Sequence, residues 1–140
     1  MTAKLTLFVV CCTAFGQLDT STLRAKYGEP IARETFQVRP NIEAVVNYGT
    51  GHQVCKIDLP PGSYVNLPGF ASAQEVDQVI DELIPPSARG KEIGGGVLSA
   101  GSLSVRLTEY EHVTISEPQD PDHSGRRTSV AITFKHPDCH

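Results

Sequence analysis

Alternating apolar and polar residues along this chain predict β-strands in two groups, one in each half. The alternating segments are residues 33–39, 42–48, 54–59, 103–107, 109–117 and 128–135. A period of two is typical of a strand that buries one face and leaves the other in water. We therefore expect these strands to form an antiparallel sheet with one apolar face.

Two helices are predicted from residue spacing and capping. The first has a cap at Asp19 or Thr20 and ends at Gly28. The second begins at Ser72, which forms a capping box with Glu75. It continues as one apolar stripe at helical spacing and ends before two prolines. The stripe consists of Val76, Val79, Ile80, Leu83 and Ile84.

The order of these elements is helix, hairpin, helix, hairpin. It predicts an α+β fold with an antiparallel sheet of four to five strands and two helices packed on one face, in the order α-β-β-α-β-β. Residues 87–102 are predicted to be a surface loop, because they contain five glycines. Their Gly94–Gly96 run is not followed by the G-K-[ST] sequence of a phosphate-binding loop.

Composition narrows the class of protein. A chain of 140 residues with 39% hydrophobic and 20% charged residues fits one globular domain. The formal net charge of −4, without a cluster of Lys and Arg, argues against a nucleic-acid surface. We expect no nucleic-acid partner.

The N-terminal segment, residues 1–16, predicts a secretory signal peptide. Lys4 precedes an apolar run over residues 5–15, which as a helix would measure about 16 Å against a bilayer core of about 30 Å. Ala14 and Gly16 occupy the −3 and −1 positions of a cleavage site. The alternative is a buried N-terminal strand. Cleavage would leave residues 17–140 as a single domain without a membrane span, secreted or periplasmic.

Cleavage would also remove two of the four cysteines. Cys55 and Cys139 remain, and an even pair in an exported protein predicts a disulfide. The alternative is two unpaired thiols.

No residue pattern predicts a catalytic centre. Glu109, Glu111 and Glu117 lie near His112, but this arrangement is more typical of a solvated strand face than of acid–base catalysis. The C-terminal residues 136–140 contain potential metal ligands, although Pro137 would strain a site built from adjacent residues. We predict no metal site and no cofactor.

Three sequence segments carry a family resemblance. Residues 26–30 (KYGEP), 33–40 (RETFQVRP) and 109–115 (EYEHVTI) resemble a group of small uncharacterised exported bacterial proteins. More distantly, the first helix with its Tyr-Gly-x-Pro end and following hairpin is similar to the outer-membrane lipoprotein domain SmpA/OmlA and to β-lactamase inhibitor proteins. That resemblance implies a binding or scaffold module. The chain lacks their lipobox and strand tryptophan.

The sequence therefore predicts an exported, non-enzymatic binding domain whose partner, a protein or a small molecule in the cell envelope, is unknown. The candidate binding residues are Tyr64, Phe70, Tyr110 and His112, with the loops at 60–70 and 87–102. Two alternatives stay open. One is a small metal-dependent or hydrolytic enzyme that uses His112 or the C-terminal His/Asp cluster, and the other is a structural spacer.

Overall fold

One antiparallel sheet organises the protein, as seen in a computed structural model. The structure describes residues 20–28, 34–49, 52–61, 68–101, 103–119 and 129–139. The helices are α1 (Thr20–Tyr27), α2 (Ala73–Leu83) and α3 (Pro86–Arg89), and a 3-10 turn spans Pro137–Cys139. The strands are β1 (Thr35–Arg39), β2 (Ile42–Tyr48), β3 (Val54–Leu59), β4 (Glu92–Ala100), β5 (Leu103–Tyr110), β6 (Val113–Gln119) and β7 (Val130–Phe134). The predicted signal peptide lies outside the described residues.

The described strands form a single sheet of seven strands in the order β1-β2-β3-β7-β6-β5-β4. Every neighbouring pair is antiparallel. The first three strands and β4 to β6 make two meanders, and β7 joins them by pairing with β3 on one side and β6 on the other. The centre of the sheet is thus built from the last strand of the described residues.

The protein is an α+β domain, but the predicted sheet of four to five strands in the order α-β-β-α-β-β is wrong. Three strands precede α2 and four follow α3, so the element order is α-β-β-β-α-α-β-β-β-β. The largest error is at residues 87–102, predicted to be a loop, where β4 pairs along its length with β5. Glycine has a low strand propensity, so the Gly94–Gly96 run did not predict a strand. In the structure, pairing with β5 stabilises a strand there.

The core lies between the helices and one face of the sheet. Alternate side chains of β2 are fully buried, and two of them have buried cross-strand partners: Ala44 is opposite Phe36 of β1, and Val46 is opposite Ile57 of β3. Leu23 of α1 and the apolar stripe of α2 belong to the same cluster. The fully buried side chains with the largest volumes are Phe36, Leu23, Ile42, Ile57, Leu59, Ile84 and Ile132.

Local capping sets the ends of both longer helices. The backbone N–H of Gly28 donates to the Arg24 carbonyl at 2.9 Å, and Gly28 adopts a positive φ of 82°, which ends α1. At the start of α2 the predicted capping box is confirmed: the Glu75 N–H donates to Ser72 Oγ at 3.1 Å, and the Ser72 N–H donates to Glu75 Oε2 at 2.8 Å. These hydrogen bonds from Ser72 hold the pKa of the Glu75 carboxyl below its ordinary value.

Within the described part of the chain, no helix combines the length and apolar character that a membrane crossing requires.

Candidate functional site

A cleft of about 770 Å³ opens between the helices and one end of the sheet. Its walls come from α1, from the end of α2 with α3, from the start of β3, and from the end of β7. The lining residues are Thr22, Leu23, Lys26, Tyr27, Gln53, Val54, Glu82, Leu83, Ile84, Pro85, Ser87, Ala88, His112, Phe134, Lys135 and His136. Its apolar side chains Leu23, Val54, Leu83 and Ile84 are buried, and we call them, with Phe134, the floor. Its charged side chains Lys26, Glu82 and Lys135 are partly exposed, and we call them, with His112 and His136, the rim.

The wall formed by α3 is held in place by one arginine. Arg89 Nε donates to the Ile84 carbonyl at 2.7 Å, and its guanidinium also pairs with Asp81 of α2. The same guanidinium lies 5.8 Å from the centroid of the Tyr110 ring. Arg89 thus ties α3 to α2 and to β5, which fixes the position of Ala88 at the cleft.

His112 reaches the cleft from the turn between β5 and β6. Its backbone N–H donates to the Arg89 carbonyl at 3.0 Å, and its carbonyl accepts from the Lys135 N–H at 2.9 Å. The neighbouring Glu111 makes two hydrogen bonds with Lys91. Its N–H donates to the Lys91 carbonyl at 3.0 Å, and its Oε2 accepts from the Lys91 N–H at 2.8 Å. The turn that carries His112 is therefore fixed from both sides by backbone hydrogen bonds.

A pair of cysteines at disulfide distance lies beside the cleft, one on β3 and one on the 3-10 turn. The sulfur atoms of Cys55 and Cys139 lie 2.02 Å apart with a Cα–Cα distance of 5.2 Å, so the two predicted cysteines are at disulfide distance. The Cys139 N–H donates to the His136 carbonyl at 3.0 Å and closes the 3-10 turn, and the contact between Cys139 and Cys55 holds this turn against β3. In the chain-entropy model a link across 84 residues stabilises the fold by about 4.5 kcal/mol.

The rim of the cleft carries more basic than acidic groups. Lys26, Lys135, His112 and His136 line it together with one carboxylate, Glu82. Glu82 is paired with Arg39 from outside the cleft and lies 3.7 Å from Lys26 Nζ. These pairs are partly exposed, so each contributes little to stability. Lys135 Nζ donates to the Tyr110 carbonyl at 2.9 Å and lies 3.6 Å from Glu109 Oε2.

Tyr27 lines the cleft and carries a hydroxyl group beside the apolar side chains there. Its hydroxyl is buried and has no hydrogen-bond partner in the described structure, and Lys26 Nζ lies 5.3 Å from the centroid of its ring. The Tyr48 hydroxyl is also buried without a partner, but Tyr48 does not line the cleft. An unsatisfied buried hydroxyl costs about 1–3 kcal/mol.

The four predicted binding residues do not come together in this cleft. Tyr64 lies outside the described residues, and Phe70 is exposed in the turn before α2. Tyr110 is half-buried against Arg89 and does not line the cleft, whereas His112 does.

Sequence reasoning missed Lys26, Tyr27 and Phe134 because they were assigned to a helix end and to a core strand. His136 was considered as part of a C-terminal metal cluster, and its place at the cleft follows from the predicted cysteine pair, three residues away on the same turn. Across the described ranges, no group of three or more His, Cys, Asp or Glu side chains is arranged to hold a metal ion.

Comparison with known proteins assigns no family. No protein-family model matches the chain, and a search of curated proteins finds no match. Among solved structures, the crystal structure of the DUF4309 family protein YjgB from Bacillus subtilis is similar, with 9% sequence identity and a TM-score of 0.47. The match covers 84% of this chain and 78% of that chain. The resemblance to small exported bacterial proteins and to SmpA/OmlA or inhibitor-like modules stays a prediction.

Proposed function

We propose that the protein is an exported, non-enzymatic binding module that holds a molecule with an apolar body and an acidic group in the cleft described above. The observation that carries this proposal is the combination of an apolar floor with a basic rim. Leu23, Val54, Leu83 and Phe134 are on the floor, and two lysines and two histidines are on the rim.

The size of the cleft supports a small-molecule ligand. Pockets for such ligands have volumes of about 300–1,000 Å³ and apolar linings with a few polar groups that set orientation. At about 770 Å³ the cleft falls in this range. Its walls are held by a disulfide, by Arg89 and by the backbone bonds of His112, so little ordering would accompany binding.

The charges of the rim favour an acid over an amine. Glu82 already has Arg39 and Lys26 as partners, which leaves its charge compensated. An ammonium has three N–H donors, so Lys135 Nζ can donate to a ligand carboxylate in addition to the Tyr110 carbonyl and beside Glu109, and that hydrogen bond would be charge-assisted. A ligand with a cationic head group would meet Lys26 and Lys135 with the same sign of charge.

Export is supported by the cysteine pair and by the N-terminal sequence. A disulfide persists in oxidising compartments, and Cys55 and Cys139 are at disulfide distance. We place the protein in the periplasm or outside the cell, where its ligand would be a component of the cell envelope or its surroundings.

Calorimetric titration with three probes of equal chain length tests the proposed chemistry. Dodecanoate, dodecanol and dodecylamine share an apolar tail and differ in head group. We expect dodecanoate to bind at least about tenfold more tightly than dodecylamine, with dodecanol between them. Equal affinities for all three would overturn the charge argument, and no binding of any would overturn the proposal.

Two matched substitutions locate the binding. Ala88→Trp places a large side chain in the cleft and should abolish dodecanoate binding, whereas Ala25→Trp on the exposed side of α1 should leave it unchanged. Retained binding by Ala88→Trp would show that the ligand lies elsewhere.

A second candidate is a small hydrolase or metal-dependent enzyme, favoured by the presence of His112 and His136 at one cleft. Titration with zinc and assay of p-nitrophenyl ester hydrolysis test it. Zinc affinity or hydrolysis that His112→Ala and His136→Ala both remove would favour this function over the binding module.

A further inference from the structure

The two edges of the sheet are built differently. The edge strand β1 has five residues, a register shift between Gln37 and Arg39, and a proline directly after it. Gln37 Nε2 donates to the Arg39 carbonyl, at 2.5 Å, and Arg39 pairs with Glu82 of α2. Short length, irregular register, charge and proline are the features that keep an edge strand from pairing with another chain.

The opposite edge, β4, has a register shift only at its start, between Glu92 and Gly94, and lacks the other protective features after Glu92. It has nine residues, all of them exposed, and pairs with β5 on one side. Residues 93–100 (IGGGVLSA) contain no charge and no proline. Among the described strands, β4 is the edge of the sheet and has a neighbour only on the β5 side.

Exposed apolar side chains are concentrated at this edge. Four of the six large hydrophobic side chains that are exposed in the described ranges lie on β4 or at the start of β5: Ile93 (58%), Val97 (56%), Leu98 (63%) and Leu103 (70%). Leu98 pairs with the half-buried Val105, on the sheet face opposite the helices. Val97 is the residue before Leu98 in the strand and lies on the other face of the sheet, so the exposed apolar side chains follow the edge itself and not one face. An edge strand with exposed apolar side chains is prone to pair with another strand.

We propose that β4 is a homodimer contact, in which two copies of this chain pair their β4 strands antiparallel about a two-fold axis. The sheet then continues from one copy into the other. This interaction is separate from the cleft and does not depend on the proposed ligand.

In this arrangement, large side chains of β4 in one copy lie opposite glycines of β4 in the other copy. With the two-fold axis near Gly96, Leu98 of one copy lies opposite Gly94 of the other, and Val97 lies opposite Gly95. A Cβ placed on Gly94 or Gly96 would meet no atom within 4 Å, so space beside these residues is open. Glycine within a strand often marks close approach of another backbone.

The difference between the edge strands β1 and β4 favours a second copy of this chain as the partner of β4. Each copy offers one unprotected edge and one protected edge, so pairing of β4 with β4 gives a closed dimer and leaves β1 on both outer sides. A single pair of strands buries less than the ~800 Å² per partner of a standard interface, and we expect a weak dimer with a Kd of about 10–100 µM.

Sedimentation equilibrium over about 5 to 500 µM protein tests the proposal, together with two matched lysine substitutions. Leu98→Lys puts a charge on the contact, and Val45→Lys puts one at an exposed position (42%) of β2, away from it. We expect the wild type and Val45→Lys to dimerise with similar Kd and Leu98→Lys to have a Kd at least about tenfold higher. A wild type that stays monomeric throughout, or a Leu98→Lys variant that dimerises like Val45→Lys, would overturn the proposal.

Hydrogen exchange at low and high protein concentration gives a test independent of substitution. Amides of β4 should exchange more slowly at high concentration, whereas those of β1 should not change. Slowing at β1 or at another surface, with β4 unchanged, would contradict a β4 contact and show a different interface.

Discussion

Gly90 packs directly against His112. A Cβ on Gly90 would lie 3.0 Å from His112 Cδ2 and 2.6 Å from Glu111 Oε2, and Gly90 has a φ of 77°. This contact joins the end of α3 to the turn that carries His112 into the cleft. The left-handed backbone and the lack of space both require glycine at this position.

Gly90→Ala should therefore destabilise the fold by about 1–3 kcal/mol, because the added methyl strains the backbone and displaces the β5–β6 turn. Urea unfolding measures the change. Gly94→Ala is the matched control at about 1 µM protein, below the Kd expected for the β4 contact, since its Cβ would meet no atom within 4 Å; there it should change the free energy of unfolding by less than about 1 kcal/mol. Equal effects of the two substitutions would contradict the packing argument.

Loss of the disulfide should lower the free energy of unfolding by about 2–5 kcal/mol, because the unfolded chain regains the freedom of an 84-residue loop. Urea unfolding with and without reductant measures this. The double variant Cys55→Ser/Cys139→Ser should be insensitive to reductant and as stable as the reduced wild type. The same variant should bind dodecanoate more weakly, since His136 is no longer held at the cleft. Wild-type unfolding that reductant does not alter would show that the two thiols are unpaired.

Tyr27→Phe should raise the stability of the ligand-free protein by about 1 kcal/mol, because it removes a buried hydroxyl that lacks a hydrogen-bond partner in the described structure. Tyr48→Phe should have the same effect for the same reason. Thermal unfolding of both variants beside the wild type is the measurement. A decrease in stability in either variant would reveal a hydrogen bond to that hydroxyl.

The charge of Glu75 should stabilise α2 at neutral pH and lose this effect in acid. The folded pKa lies below the ordinary value of 4.5, so the contribution is complete above that pH and decreases as the pH falls through the folded pKa. Glu75→Gln should be less stable than the wild type near pH 7, and the difference should shrink below about pH 4. Urea unfolding at several pH values measures it, and Asp77→Asn, on the same helix, is a control for charge alone. A difference between wild type and Glu75→Gln that is independent of pH would contradict the capping role of the carboxylate.

Local signals in the sequence predicted the two longer helices, α1 and α2, but not the four-residue α3, which lies where a helix stop and a loop were predicted. The capping box of Ser72 and Glu75 and the termination of α1 at Gly28 depend on residues a few positions apart, and both are present in the structure. The strand at Gly94–Gly96 was not predicted, because its stability comes from pairing with β5 and not from its own residues. The pairing of β3 with β7 joins segments about half the chain apart, and no local pattern indicates it.

The candidate site was less predictable than the fold. The sequence pointed to His112, but the other residues of the cleft come from α1, the end of α2 and the end of β7, which the fold brings together. Residues 109–117 were predicted to be one strand, but β5 ends at Tyr110 and β6 begins at Val113, so Tyr110 and His112 are not on the same strand. Tyr110 packs against Arg89, whereas His112 lines the cleft.

The central position of β7 has a consequence for how the protein acquires its structure. Residues 34–59 and 92–119 can each begin to pair as local meanders, but the bonds that unite them need residues 130–134. A chain still emerging from the ribosome therefore lacks the strand that completes its core. The complete sheet therefore cannot form before residues 130–134 have been synthesised, so contacts between residues far apart in sequence limit when the core closes.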